Sequence, residues 1–204
     1  MFYITVYMIH ISPQVSEVKP LQLASALLSF LILGACGSVS LGGLTAASRL
    51  DPINTPPGDV ALAISVPDAV QLVDGDAVLR ITFAEDGRQL VNTEVPLTIA
   101  RSVGEAGVRQ HAGETTYVGH LAEAEAQAFA MAQAEIRRLR SKGSEGRGSL
   151  QIRVTNGCRV GPPFEALQVS TWLRTDPEAR FVQLTRRIDV LEELQSSGVS
   201  IPAC

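Results

Sequence analysis

The feature that most constrains the fold is one long segment of helix-forming residues in a chain that otherwise alternates apolar and polar residues. Residues 121–142 are rich in Ala, Glu, Gln, Leu and Arg and contain neither Gly nor Pro. An apolar stripe at helical spacing runs along this segment and consists of Phe129, Ala132, Ile136 and Leu139. The sequence therefore predicts one long amphipathic helix that packs on other elements through a single face.

Segments in which apolar and polar residues alternate lie on both sides of this helix and predict strands. Those before the helix are residues 60–66, 79–83 and 90–99, and those after it are 150–154, 167–173 and 181–190. The order βββ-α-βββ predicts an α+β domain in which a largely antiparallel sheet of about six strands carries the helix on one face. A β-sandwich with an inserted helix is the alternative.

The segment between the first group of strands and the helix has a different character. Residues 101–116 contain three Gly and many polar residues, so we predict a loop there. With this loop included, residues 59–204 are predicted to form a single globular domain.

Composition and charge limit the classes of partner. The chain has 46% hydrophobic and 19% charged residues, so it carries enough apolar surface to fold around a core. Its formal net charge of −4 provides no broad positive field that would attract the phosphate backbone of a nucleic acid. We therefore expect no nucleic-acid partner.

An uncharged apolar stretch, residues 21–36, follows Lys19 near the start of the chain. It is shorter than the roughly 20 residues that a membrane-spanning helix needs, and it fits the hydrophobic region of a signal peptide. The stretch ends in Leu33-Gly34-Ala35-Cys36, which resembles the lipobox of bacterial lipoproteins. The resemblance implies that residues 1–35 are a signal peptide and that Cys36 is the lipidated first residue of the mature chain.

The residues before Lys19 do not have the usual form of a signal-peptide start. Residues 1–17 contain a second apolar run and Glu17, where a short positive region is expected. One hypothesis is that translation begins at Val18 and that residues 1–17 are not part of the protein. The alternative is that residues 1–11 form a buried strand.

The resemblance to lipoproteins also implies a location. Two or three acyl chains on Cys36 would anchor the protein stably to membrane lipid without a spanning helix. Residue 37 is Gly and not the Asp that commonly retains lipoproteins in the inner membrane, so the expected location is the outer membrane, facing the periplasm. Residues 36–58 are rich in Gly, Ser, Thr and Pro and are predicted to be a flexible tether between the anchor and the domain.

The chain contains three cysteines, and acylation of Cys36 would leave Cys158 and Cys204. An even pair in an oxidising compartment normally forms a disulfide, so we predict a Cys158–Cys204 bond that ties the last residue to the domain. The alternative is a buried free thiol at Cys158 and a frayed terminus at Cys204. Two thiols lack the further ligands of a zinc site, and we expect no metal and no cofactor.

The predicted hairpin near the end of the chain contains the candidate contact residues. The only Trp, Trp172, has several arginines nearby in the sequence, and three of them, Arg174, Arg186 and Arg187, are taken with it as candidate contact residues. Trp and Arg are enriched among binding hot spots, so these four residues form a candidate contact surface if their face of the hairpin is exposed. If the predicted helix lies on that face, Trp172 is a core residue instead.

The sequence contains no motif for nucleophilic, phosphate-binding or dinucleotide-binding chemistry, so we predict no catalytic residues. The predicted function is a non-enzymatic protein-binding, assembly or structural module of the cell envelope, with another envelope protein as its partner. A small-ligand-binding lipoprotein is the alternative and would need a sizeable concave pocket. An enzyme with a site assembled from scattered residues is the third class.

Overall fold

The computed structural model describes residues 4–11, 50–196, 198 and 200–204. Two main antiparallel sheets and a small third sheet are formed by these residues. The strands of the first main sheet, sheet A, are β1 (Ile4–Ile11), β4 (Ala77–Glu85), β5 (Arg88–Pro96) and β8 (Arg147–Val154). The strands of the second main sheet, sheet B, are β2 (Ala61–Pro67), β6 (Thr98–Ser102), β7 (Glu114–His120), β10 (Gln168–Arg174) and β11 (Val182–Asp189).

The order of strands is β1-β8-β4-β5 in sheet A and β11-β10-β2-β7-β6 in sheet B. The third sheet pairs β3 (Val70–Gln71) with β9 (Cys158–Arg159). Two α-helices are described, α1 (Glu123–Ser141) and α2 (Leu191–Ser196), together with a short 3-10 helix, Pro57–Asp59. The long helix therefore begins and ends within two residues of the predicted segment 121–142.

The inner faces of both main sheets meet in one buried cluster. Sheet A contributes Leu79 and Ile81, and sheet B contributes Leu62 and Ile64. The apolar stripe of α1 joins the same cluster, with Phe129, Ala132 and Ile136 buried and Leu139 packed against them. The α+β class, the antiparallel pairing and the long helix are confirmed. The strands, however, divide between two main sheets, because each sheet has one apolar face that needs a cover.

One strand prediction and one loop prediction are corrected. The predicted strand 90–99 is two strands, β5 in sheet A and β6 in sheet B, because Pro96 cannot donate to a ladder and the chain crosses between the sheets at the buried Leu97. The predicted loop 101–116 is wrong at both ends, since Thr98–Ser102 extends into it and Glu114–His120 begins within it. Strand β7 forms because it pairs with β2, although apolar and polar residues alternate only briefly in the sequence of β7.

The tether prediction is also corrected at its domain end. Ile53 is 2% exposed and belongs to the main core. Gln133 of α1 donates hydrogen bonds to the carbonyl oxygens of Pro52 and Thr55, and Arg137 donates one to the carbonyl oxygen of Ile53. The domain therefore begins before residue 59, because this segment covers one side of α1. Residues 12–49, which include the predicted lipobox and Cys36, lie outside the described residues.

Strand β1 comes from the segment for which two interpretations were open. It pairs antiparallel with β8, and Ile4 lies opposite Val154 while Ile9 lies opposite Leu150. It also lies against β11 of sheet B, so it closes the seam between the two sheets on that side. In this structure residues 4–11 form a strand, as in the second interpretation, which predicts a strand over residues 1–11. The start site and the signal peptide stay predictions.

Candidate functional site

The four residues of the predicted contact surface do not form one exposed patch. Trp172 is 1% exposed, and Arg174 is half-buried, whereas Arg186 and Arg187 are exposed. Trp172 is therefore a core residue and is not available to a partner in this conformation. Its side chain lies on the outer face of sheet B, the face that is turned away from the main core.

A segment of the chain, residues 103–113, covers Trp172 and is here named the strap. Under the strap, a second apolar cluster contains Ala61, Ala63, Val118, Trp172 and Phe181, and Val108 of the strap packs against it. The Phe181 N–H donates a 2.8 Å hydrogen bond to the carbonyl oxygen of Ala106. Gly107 has φ +91°, and a Cβ there would overlap the carbonyl oxygen of Phe181, so this close approach requires Gly. Sequence reasoning missed this cover because it assigned any burial of Trp172 to the helix.

Arg174 and His120 lie at one end of the covered face. The Arg174 guanidinium lies 4.6 Å from the centroid of the Phe181 ring, within the range of a cation–π contact. Its buried Nε has no hydrogen-bond partner among the described residues. Partial burial and the Arg174 charge lower the pKa of His120, and Glu105 opposes this shift. Arg174 is thus held by packing and is not free to reach a partner.

Arg187 lies at the opposite end of the face, in an irregular part of β11. Arg186 and Arg187 together lie opposite the single residue Ser170, which is the geometry of a β-bulge. Arg187 has φ +46°, a left-handed conformation that is unusual for a residue with a side chain. Its N–H donates a 2.9 Å hydrogen bond to Ser170 Oγ, and its Nε donates one to Gln168 Oε1. The bulge therefore places Arg187 at this edge, and the hydrogen bond to Gln168 orients its guanidinium.

A buried acid also faces Arg187. Glu114 is 8% exposed, and its Oε1 lies 3.6 Å from Arg187 Nε. Its Oε2 accepts a 2.9 Å hydrogen bond from Ser65 Oγ. The chain of contacts from Arg187 through Glu114 to Ser65 thus links β11, β7 and β2 on one face of sheet B. Ser65 is fully buried, so this serine is a structural partner of Glu114 and is not an accessible nucleophile.

The arrangement can present positive charge at the edge of sheet B. Arg186 is exposed, and the Arg187 side chain is 47% exposed while two acceptors orient it. Planar guanidinium groups suit carboxylates, which they can bind through two parallel hydrogen bonds. This edge is the candidate functional site. Sequence reasoning missed this role of Glu114 because it placed the residue in a predicted loop, and nothing there marks it as the partner of an arginine far along the chain.

The disulfide-tied end of the domain contains the apolar cavities. Cys158 and Cys204 form a disulfide with a Cα–Cα distance of 5.0 Å, as predicted. Backbone hydrogen bonds between Arg159 and the last residues hold the terminus beside β9. A cavity of about 20 Å³ lies between Val66, Leu167 and neighbouring apolar residues, and a groove of about 220 Å³ adjoins it beside α2. Both volumes are below the roughly 300–1,000 Å³ of a typical ligand pocket.

A third depression, of about 670 Å³, is an open polar groove between the β4–β5 turn and the loop before β8. Glu85 lines it and accepts hydrogen bonds from Ser144 Oγ at 2.7 Å and from the Glu145 N–H at 2.8 Å. The carboxylate in this groove is thus already engaged by the loop. The groove has the character of an ordinary open surface.

Within the described ranges, no helix is both long and apolar enough to cross a bilayer. The same residues contain no group of three or more His, Cys, Asp and Glu side chains that could hold a metal ion. No protein-family model, curated protein sequence or solved structure matches this chain.

Proposed function

We propose that this chain is the precursor of a bacterial lipoprotein that is anchored in the outer membrane through acylated Cys36 and faces the periplasm. The observation that carries the proposal is the sequence Leu33-Gly34-Ala35-Cys36 at the end of the uncharged apolar stretch that follows Lys19. Small residues before a cysteine at this position resemble the lipobox. The anchor is therefore lipid, and the domain follows on the same side of the membrane.

The Cys158–Cys204 disulfide supports an oxidising compartment. Disulfides form and persist in secreted and periplasmic proteins, whereas thiols in the cytosol are kept reduced. The bond closes a loop with a sequence separation of 46 residues, and such a crosslink stabilises a domain by about 4 kcal/mol on the chain-entropy model. A periplasmic domain would retain this stabilisation.

The domain itself is proposed to bind another envelope protein without catalysing a reaction. The exposed pair Arg186 and Arg187 supports this role, because the bulge and the contacts with Gln168 and Glu114 hold a guanidinium in place at a sheet edge. Orienting a side chain in advance reduces the entropy that is lost on binding. The partner surface would present carboxylates. The small apolar cavities give less support to a small-ligand-binding lipoprotein.

The anchor is tested by the intact mass of protein extracted from membranes, with and without reduction and alkylation. We expect a chain that begins at Cys36 with added lipid mass, and two thiols that react only after reduction. The Cys36→Ser variant is the control and is expected to remain unprocessed and without lipid. A wild-type chain that retains its first residues and three reactive thiols would refute the anchor and the compartment together.

The protein-binding role is tested by photocrosslinking in intact cells. A crosslinking amino acid replaces Arg186 in one variant and Met131 in the other. Met131 is the control position, because it is 69% exposed and lies on α1, outside sheet B. We expect one discrete adduct with residue 186 and none with residue 131. Identical patterns from both positions, or no adduct from either, would contradict recognition at the β11 edge.

A further inference from the structure

Of the four outermost strands of the two main sheets, β5, β6 and β11 carry features that discourage pairing with another chain. Strand β5 ends in Pro96 and is packed against α1, and β6 is only five residues long. Strand β11 has two register shifts opposite β10 and carries Arg186 and Arg187 in one of them. Short strands, proline, bulges and charge are the usual protections of a sheet edge. These three edges therefore have their own protection.

The fourth outermost strand is β1, and the strand that it covers, β8, has none of these features. It is eight residues long, contains no proline, and pairs with β4 without a register shift. Leu150, Ile152 and Val154 of β8 point into the main core. Its far side is covered by β1 alone among the described strands. A long, regular and apolar strand is the kind of edge that accepts another strand.

On the lipoprotein proposal, the mature chain lacks the strand that covers β8. If Cys36 is the first residue of the mature chain, β1 (Ile4–Ile11) is absent from it, and the same holds if translation begins at Val18. The outward N–H and C=O groups of β8 then lose their partners. The seam between β8 and β11 also loses the strand that closes it.

We propose that β8 in the mature lipoprotein accepts an extended, uncharged segment of about eight residues from a partner envelope protein, in the antiparallel register that β1 shows. The inference rests on the proposed function, since it requires a mature chain without β1. The structure carries it in two ways: β8 is the edge without its own protection, and β1 shows that this edge can hold a strand in a defined register.

The chemistry of the occupant follows from the seam. Leu150 and Ile152 of β8 and Leu184 and Ile188 of β11 belong to or pack against the one main core, so a charged side chain at the seam would be buried among apolar groups. The sequence of β1, I-T-V-Y-M-I-H-I, contains no Asp, Glu, Lys or Arg and is rich in β-branched residues. A partner strand is expected to have the same composition.

The test uses the mature protein extracted from membranes and a synthetic peptide of residues 4–11 with lysines added at both ends for solubility. Met8 lies opposite Gln151 in the register of β1 and β8. A Gln151→Cys variant should therefore form a disulfide with the Met8→Cys peptide, seen as an increase in mass equal to that of the peptide. The Ile11→Cys peptide lies opposite Gly148 and should not react.

A second measurement avoids any substitution in the protein. Amide hydrogen exchange of residues 147–154 in the wild-type mature protein should slow when the unmodified peptide is added. A peptide with prolines at Tyr7 and Met8 should have no effect, because adjacent prolines remove an N–H from the ladder whichever of the two faces β8. Slower exchange together with the register-specific crosslink would support the proposal.

The remaining outcomes overturn it, and they separate its failure from that of the proposed function. Intact mass that shows residues 4–11 still present would refute the lipoprotein processing and the open edge together. A chain that begins at Cys36 but neither crosslinks nor changes its exchange would refute only the open edge. Equal crosslinking of the two peptides, or a protein dimer joined through residue 151 that the peptide does not displace, would also refute it.

Discussion

Strand β1 pairs with β8 and lies against β11, and the two strands that it touches are protected by different means. Strand β11 is the last strand of sheet B and interrupts its own ladder with two register shifts and a pair of arginines. Strand β8 has an unbroken ladder with β4 and is covered by a separate segment, β1. An edge protected by its own side chains remains protected in every form of the chain. An edge protected by another segment can be opened by removing that segment.

The packing of Trp172 contributes most to the stability of the β11 side. Removing the Trp172 side chain should therefore have the largest effect on the free energy of unfolding. Trp172→Ala would leave a cavity beneath the strap and should lower the free energy of unfolding by about 3–5 kcal/mol. The measurement is urea unfolding of the mature protein with the disulfide intact. Leu90→Ala is the control on the exposed edge of β5, where Leu90 is 37% exposed, and should change stability by less than about 0.5 kcal/mol. Similar losses for both would mean that the strap does not seal this face.

A matched pair of hydroxyl contacts compares the two sides directly. Between β10 and β11, the hydroxyl oxygens of Thr171 and Thr185 are 2.8 Å apart. Between β4 and β8, the hydroxyl oxygens of Thr82 and Ser149 are 2.6 Å apart. Thr185→Ala should lower stability by about 1–3 kcal/mol, because it leaves the fully buried Thr171 hydroxyl without a partner. Ser149→Ala should have a smaller effect in the mature chain, because water reaches the open edge and replaces the lost partner. Equal losses in urea unfolding would contradict an open β8 edge.

The bulge in β11 is tested by substitutions that differ in their tolerance of a left-handed backbone. Arg187→Val should lower stability by about 1–2 kcal/mol, because a β-branched residue is strained at φ +46°. Arg187→Asn loses the same guanidinium contacts but tolerates this conformation, so it should be less destabilising. The two variants are compared by thermal unfolding. If the two variants are equally stable, the left-handed conformation at residue 187 does not strain the bulge.

The smallest effect concerns pH at the other end of the strap face. The pKa of His120 is lowered in the folded state by partial burial and by Arg174. Below about pH 6.5 the unfolded chain therefore binds a proton more readily, and His120 contributes a loss of stability as the pH falls. Above that pH its imidazole is neutral in both states and contributes no dependence. The difference in free energy of unfolding between wild type and His120→Gln should be constant above pH 7. As the pH falls towards 5, the wild type should lose stability relative to the variant. A difference that does not change with pH would contradict this origin.

Local patterns in the sequence determined much of this protein. The composition of residues 121–142 predicted α1 almost to its ends, because helix propensity and the absence of Gly and Pro act along a single segment. Alternation predicted β2, β4, β8, β10 and β11 for a similar reason. The count of cysteines and the resemblance of the first segment to a lipobox led to the Cys158–Cys204 pair that the structure contains.

Only the tertiary structure decided which faces are covered and which distant residues meet. Period-two alternation shows that a strand has one apolar face, but it does not identify the layer that covers this face. The division into two sheets, the strap over Trp172 and the packing of Ile53 therefore could not be read from local patterns. The approach of Glu114 to Arg187 depends on strand order as well, because it joins residues that are close only after β7, β2, β10 and β11 are side by side.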